Sequence, residues 1–251
     1  MRTSQINTID QVISVLDEII SETKNNNNPL GYFAALYRKV TIKVKEGIKD
    51  NFFDDGQRME KLDIVFAKRY IDAYYAWQKK EVLTSSWQKA FEPSNNYWPI
   101  VLQHLLLGMN AHINLDLGIA AAEVAKNNID DLENDFNKIN KILSSLVIEV
   151  QNDLAAIWPT LGKILRLTNK ADDFLVDFSM ELARDGAWKF AQTIARSPNK
   201  NIERIINDRD KKVAKKVALV LGPGFIAKLI FKIIRLGEKG SVIEKIRKLA
   251  D

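Results

Sequence analysis

From about Ile100 to Ala125 the chain is apolar nearly all the way round a helix, and such an element has to be enclosed by other helices rather than laid on a surface. Both histidines of the 251 residues fall inside it, in the run HLLLGMNAHINLDL from His104 to Leu117. The other polar members of that run are Asn110, Asn114 and Asp116. Polar groups in an apolar setting are costly unless partnered, so this run is where a site is expected.

On a regular helix His112 and Asp116, at i and i+4, lie about 40° apart on one face and can touch. Two uses follow. Asp116 could orient His112 as a general base, or both could ligate a divalent metal ion. His104 sits eight residues before His112, about 12 Å along the axis and about 80° round, so a metal set of His104, His112 and Asp116 requires a bend at Gly108. Asn110 and Asn114 form a second i, i+4 pair on a different face, separated from the first by leucines. Each of the two stripes must be met by polar groups of another helix. The plainer account is that buried His, Asn and Asp merely fix packing. Five such groups on one element favour a functional pocket.

The remaining chain reads as helices. Thr8-Ile-Asp-Gln11 is a capping box ahead of Val12, Val15, Leu16, Ile19 and Ile20, predicting a helix to about residue 23. A second follows Gly31, and the polar turn from Asn51 to Gly56 precedes a third over about 58–80. A short one spans about 86–91, before the loop PSNNYWP. Beyond Asn127 to Asp131, helices are predicted from Leu132 to Trp158 and from about Ala171 to Arg196. Alternating strand patterns are absent, which predicts an all-α fold: a single multi-helix bundle with a central apolar helix and a basic C-terminal helix pair. Residues 1–199 make up the bundle and 200–251 a basic amphipathic tail packed on it or extending it.

Charge is distributed unevenly. Residues 200–251 hold 14 basic and 6 acidic residues, a net of +8, and residues 1–199 hold 23 basic against 26 acidic, a net of −3. The basic residues of the tail are not interleaved with aromatics, so a nucleic-acid partner is not expected. In the tail, apolar helical runs with lysines opposite them are split by Gly222-Pro223-Gly224. The continuous apolar run from Val217 to Ala227 is well short of the roughly 20 residues that span a bilayer. Peripheral membrane contact through residues 211–248 is one use for it, and closing the bundle is the plainer one. With 46% hydrophobic residues, no cysteine and an N-terminus, MRTSQINTIDQV, unlike a secretory signal, a cytoplasmic globular protein is expected.

Two further segments carry polar groups. In LDIVFAKRYIDAYYAW, Asp63 and Tyr70 are seven apart and share a face, while Arg69 and Asp72 at i, i+3 suit a surface ion pair. Arg69 or Asp63 could instead answer the polar stripes of the histidine helix. The second group comprises Asp135, Asn140, Arg184, Asp185 and Trp188, with Arg184 and Trp188 spaced to stack guanidinium on indole. Phosphate-binding loops, dinucleotide fingerprints and nucleophile elbows are missing.

The segments LGYFAALYRKVT, FFDDGQRMEKLDIVFAKRYIDAYYAW and LQHLLLGMNAHINLDLGIAAAE, with DFNKIN and ARDGAW further on, resemble a family of bacterial and fungal proteins catalogued only as a domain of unknown function. The resemblance covers roughly residues 8 to 195. It implies a helical, soluble protein whose signature lies around His104 to Asp116, and it carries over no catalytic role.

Together these features lead to an expected enzyme for a small, largely apolar molecule, using acid–base or metal-assisted chemistry of hydrolase or lyase type. The catalytic candidates are His112, Asp116, His104 and Asp63, and the substrate-binding candidates Asn110, Asn114, Arg69 and Tyr70. The alternative is a non-catalytic helical module that binds a lipophilic ligand or a membrane surface.

Overall fold

Thr8 starts the first helix as its spacing suggests: its hydroxyl accepts from the Gln11 amide while the Gln11 side chain accepts from the Thr8 amide, and α1 runs over Ile9–Asn25. The computed structural model describes residues 3–125, 128–158, 180–222 and 224–250. Helix α2 spans Gly31–Lys49 and α3 spans Gly56–Lys79, capped by Asp55. Helix α4 covers Ser85–Phe91 and α5 covers Val101–Ala125. Then come α6 (Glu133–Ile157), α7 (Met180–Ala195), α8 (Asn199–Leu221), α9 (Phe225–Gly237) and α10 (Val242–Ala250). Among the described residues there is no strand, and the protein is an all-α multi-helix bundle. The expected start of the seventh helix, near Ala171, lies outside the described residues.

Helix α5 runs through the middle. It is apolar and long enough, by composition, to cross a membrane, yet 94% of its apolar window is buried by the neighbouring helices. Its first half packs into one apolar cluster with Leu16, Phe33, Tyr70 and Trp87 from α1 to α4. Its second half joins another, with Leu62, Phe136, Phe190 and Val213 from α3, α6, α7 and α8. His112 to Asp116 stand where the two clusters meet.

Gly108 permits the closest approach in the first half, since a Cβ there would come within 2.4 Å of the Phe33 ring. Gly118 plays the same part against α7, where a Cβ would lie 2.6 Å from Phe190 and 2.9 Å from the Ala187 carbonyl oxygen.

The basic tail folds onto the bundle. Asp210 of α8 accepts from the Ser85 and Ser86 amides, at 2.7 and 2.8 Å, and so caps α4 from another helix. Glu238, after α9, accepts from the Val101 amide that opens α5 and pairs with Arg235 and Lys245 at 2.7 and 2.9 Å. The expected pair, α8 and α9, is followed by a third short helix. Ser241 caps it reciprocally with Glu244, and Gly240 takes a positive φ of 89° just before it.

Because the Ala187 carbonyl cannot rotate away, Gly118→Ala is expected to lower stability by about 1–3 kcal/mol through overpacking, despite the roughly 1 kcal/mol that alanine gains in a helix. Denaturant unfolding monitored by circular dichroism reads the shift in midpoint, and an unchanged or raised midpoint would contradict the packing.

Candidate functional site

Five successive residues of α5, His112 to Asp116, adopt a π-helical turn, a form found mostly as single-turn bulges and often at functional positions. His112 and Asp116 still meet across this turn, with Nδ1 3.1 Å from Oδ2. The same Asp116 Oδ2 accepts from the Trp87 indole N–H at 2.8 Å, and Oδ1 accepts from Arg69 Nε at 2.8 Å. Asp116 and His112 are 1% and 2% exposed, whereas Arg69 is 29% exposed and forms the outer edge of the group.

The His112 ring sits in an aromatic box. Phe66 stacks on it with centroids 3.6 Å apart and planes 6° from parallel, and Tyr37 meets it edge-on at 4.6 Å. Phe33, Trp87 and Tyr70 stand at 5.9, 5.9 and 6.0 Å. Helical spacing builds this box. Phe33 and Tyr37 are one turn apart on α2, and Asp63, Phe66 and Tyr70 follow one face of α3 at i, i+3 and i+7.

Burial depresses the basicity of His112, opposed by the hydrogen bond and charge of Asp116, so the ring is neutral at neutral pH. With Nδ1 donating to Asp116, the lone pair is on Nε2. That Nε2 is buried and has no hydrogen-bond partner. The Tyr70 hydroxyl and one oxygen of Asp63 are also buried and unpartnered, whereas the Tyr37 hydroxyl lies beside Thr41. Burial raises the Tyr37 phenol well above its ordinary range, and the charges of Asp63 and Asp116 add to the effect. Asp63 is pushed up to about 8 by burial and by Glu60, so it is mostly a neutral carboxylic acid at pH 7.

The other expected residues divide. Arg69 bonds to Asp116 rather than to Asp72, which accepts from the Thr3 hydroxyl. A buried carboxylate offers a charge-assisted bond of about 1.5–3 kcal/mol, where an exposed i, i+3 pair yields about 0.3–0.5. Tyr70 belongs to the box. Asn110 and Asn114 face α8 instead: Asn114 donates to Asn110, and Asn110 donates to the Val213 carbonyl. Lys216 and Arg209 then donate to the Asn114 side chain and carbonyl. Those amides spend their polar atoms on packing and do not join His112.

His104 is likewise apart. Edge-on to Tyr32 at 5.7 Å, it lines a cleft with Pro29, Phe33, Phe91 and Gly108 that has room for about one water. Burial, helped by Arg235 and Lys245, drops it to about 3. Among the described residues no three His, Asp or Glu are placed to hold a metal ion, so His104, His112 and Asp116 do not converge as a ligand set. The bend that convergence needed at Gly108 gives way to close packing on Phe33.

The second diffuse group is structural. Asp135 accepts from the Asp54 and Asp55 amides and from Arg58, fixing α6 to the start of α3. Arg184 donates to Asn140 and to the Phe136 carbonyl and covers the Phe136 ring rather than the expected Trp188 indole. Trp188 packs on the same ring from 4.8 Å, so Phe136 takes both. Trp87, the indole donor to Asp116, was missed as a site residue, and its only signal was that a buried indole N–H needs an acceptor.

Residues 9–223 match a family of unknown function, DUF5995, a span that takes in α1 to α8 and leaves α9 and α10 outside. No curated protein and no solved structure matches the chain.

The raised pKa of Asp63 couples folding to pH. The folded state keeps a proton that the unfolded chain releases above about 4, so the contribution of Asp63 to stability is fully present below that point. It falls by up to about 1.4 kcal/mol per pH unit until pH 8. Urea unfolding at pH 5 and pH 8 should therefore give a lower midpoint at pH 8, and Asp63→Asn should remove most of the difference. Equal slopes in the two proteins would exclude a protonated Asp63.

Proposed function

The chain belongs to DUF5995, a family of unknown function. From the geometry around His112 we propose that it is a cytoplasmic acid–base enzyme of hydrolase or lyase type acting on a small, largely apolar molecule. The observation that carries the reading is the Nε2 lone pair of His112, which is buried and unpartnered on a neutral ring. An unmet acceptor in the core costs about 1–3 kcal/mol, and a substrate hydroxyl or water presented to it recovers that cost while meeting a general base.

Asp116 is the positioning residue. It fixes the tautomer that leaves Nε2 free and steadies the imidazolium formed when His112 takes a proton. Trp87 and Arg69 in turn fix the carboxylate by one N–H each. Both Asp116 oxygens already accept N–H donors, which favours the acid–base form of the chemistry over the form assisted by a divalent metal ion.

Asp63, kept neutral by burial, supplies a proton donor on the face of α3 that also carries Phe66 and Tyr70. The unpartnered hydroxyl of Tyr70 suits the polar end of a ligand, and Phe33, Phe66 and Trp87 suit its apolar body. Arg69, 29% exposed, puts the outer edge of the group within reach of solvent. His104, Asn110 and Asn114 take no part in this chemistry.

The test is turnover of a panel of small apolar esters, lactones and β-hydroxy carbonyl compounds, followed by mass spectrometry. His112→Gln should lower kcat/KM by about 10²–10⁴-fold with the fold retained by circular dichroism. Since His112 acts as a neutral base and its basicity is depressed, the acid limb of kcat/KM should fall below pH 6.5. Activity within twofold of the parent in His112→Gln would end this assignment.

A further inference from the structure

Helix α9 turns a row of large apolar side chains outward, and it does so beyond the residues matched to the family. Phe225, Leu229, Ile233 and Leu236 are 83%, 52%, 54% and 71% exposed. At about 100° per residue they fall within about 80° of arc, while Ile234, fully buried, marks the opposite side. Single exposed apolar residues are ordinary, but an aligned row marks an interaction surface.

What surrounds the row selects its partner. Lys228 and Lys232 are exposed on one flank of the strip, and from Lys211 to Gly237 there are seven basic residues and no acidic one. Next to α9 the loop before α5 presents Tyr97 and Trp98, 60% and 43% exposed. It is held there by Arg235, which lies 4.5 Å over the Tyr97 ring and donates to its carbonyl, and by Lys232, 5.2 Å over the Trp98 ring. Aliphatic residues and Phe on the outer face, lysines at the flank and Tyr and Trp beside them are the chemistry of a helix lying in the plane of a bilayer interface.

We propose that α9, with Tyr97 and Trp98, docks the protein on an anionic lipid surface. The helix has 13 residues, about 20 Å, too short for the roughly 30 Å hydrocarbon core, so it lies along the interface and does not span it. A second copy of the chain is the poorer occupant, because a self-complementary contact through this face would set Lys228 and Lys232 of one copy beside those of the other. The proposal is independent of the chemistry assigned to His112.

Co-sedimentation of the full chain with vesicles tests it. Vesicles with roughly one third phosphatidylserine should pellet the protein, pure phosphatidylcholine should pellet far less, and high salt should weaken the anionic case. Phe225→Ser with Leu229→Ser should reduce partitioning at least tenfold, and Lys228→Glu by about tenfold, with unchanged thermal melts because these three side chains are exposed. The proposal is overturned by no sedimentation with anionic vesicles, by equal sedimentation with both compositions, or by the apolar variant binding as well as the parent. Also fatal is a dimer in analytical ultracentrifugation that Phe225→Ser abolishes, since the row would then serve a second copy.

Discussion

One buried carboxylate holds the middle of the molecule together. Asp116 is almost wholly inaccessible, and its two oxygens gather N–H groups from α3, α4 and α5 itself. A buried charge of this kind is tolerable only when its hydrogen-bonding capacity is filled, and removing any one donor would leave part of it exposed to an apolar medium. The rotation of α3 and the position of the short α4 are therefore tied to the π turn of α5. The same bonds orient His112 and leave its second nitrogen unpartnered.

The second stripe of α5 performs the complementary task. Asn110 and Asn114 connect through Val213, Arg209 and Lys216 to α8, so the central helix is gripped by polar contacts on two sides in addition to its apolar ones. Helix α8 also caps α4 through Asp210, and Glu238 caps α5 while binding Arg235 and Lys245. The charged C-terminal region is thus built into the bundle at two helix ends. Among the described residues of the tail, the outer face of α9 is where large apolar side chains are most exposed, with Phe225 at 83% and Leu236 at 71%.

Much of the architecture was legible from spacing. The Thr8 to Gln11 capping box, the break at Asn51 to Gly56, the helix end near Arg196 and the central position of the 100–125 helix all follow from local rules, because caps and apolar stripes act within a turn or two of chain. Contact between His112 and Asp116 was legible for the same reason, as was the need for each stripe to find partners. The third tail helix carries the same kind of local signal, the reciprocal cap of Ser241 and Glu244.

What the sequence by itself determined is which residues share a face of one helix and which faces must be hidden. Only the tertiary structure decided that Arg69 serves Asp116 and not Asp72, that Arg184 covers Phe136, and that His104 stays apart from His112. Periodicity fixes angles about a single helix axis, but it carries no information on how that helix is rotated against another one 29 or 47 residues away along the chain. That rotation is set by many small packing terms acting together, and by the few buried polar atoms that can be satisfied in only one arrangement.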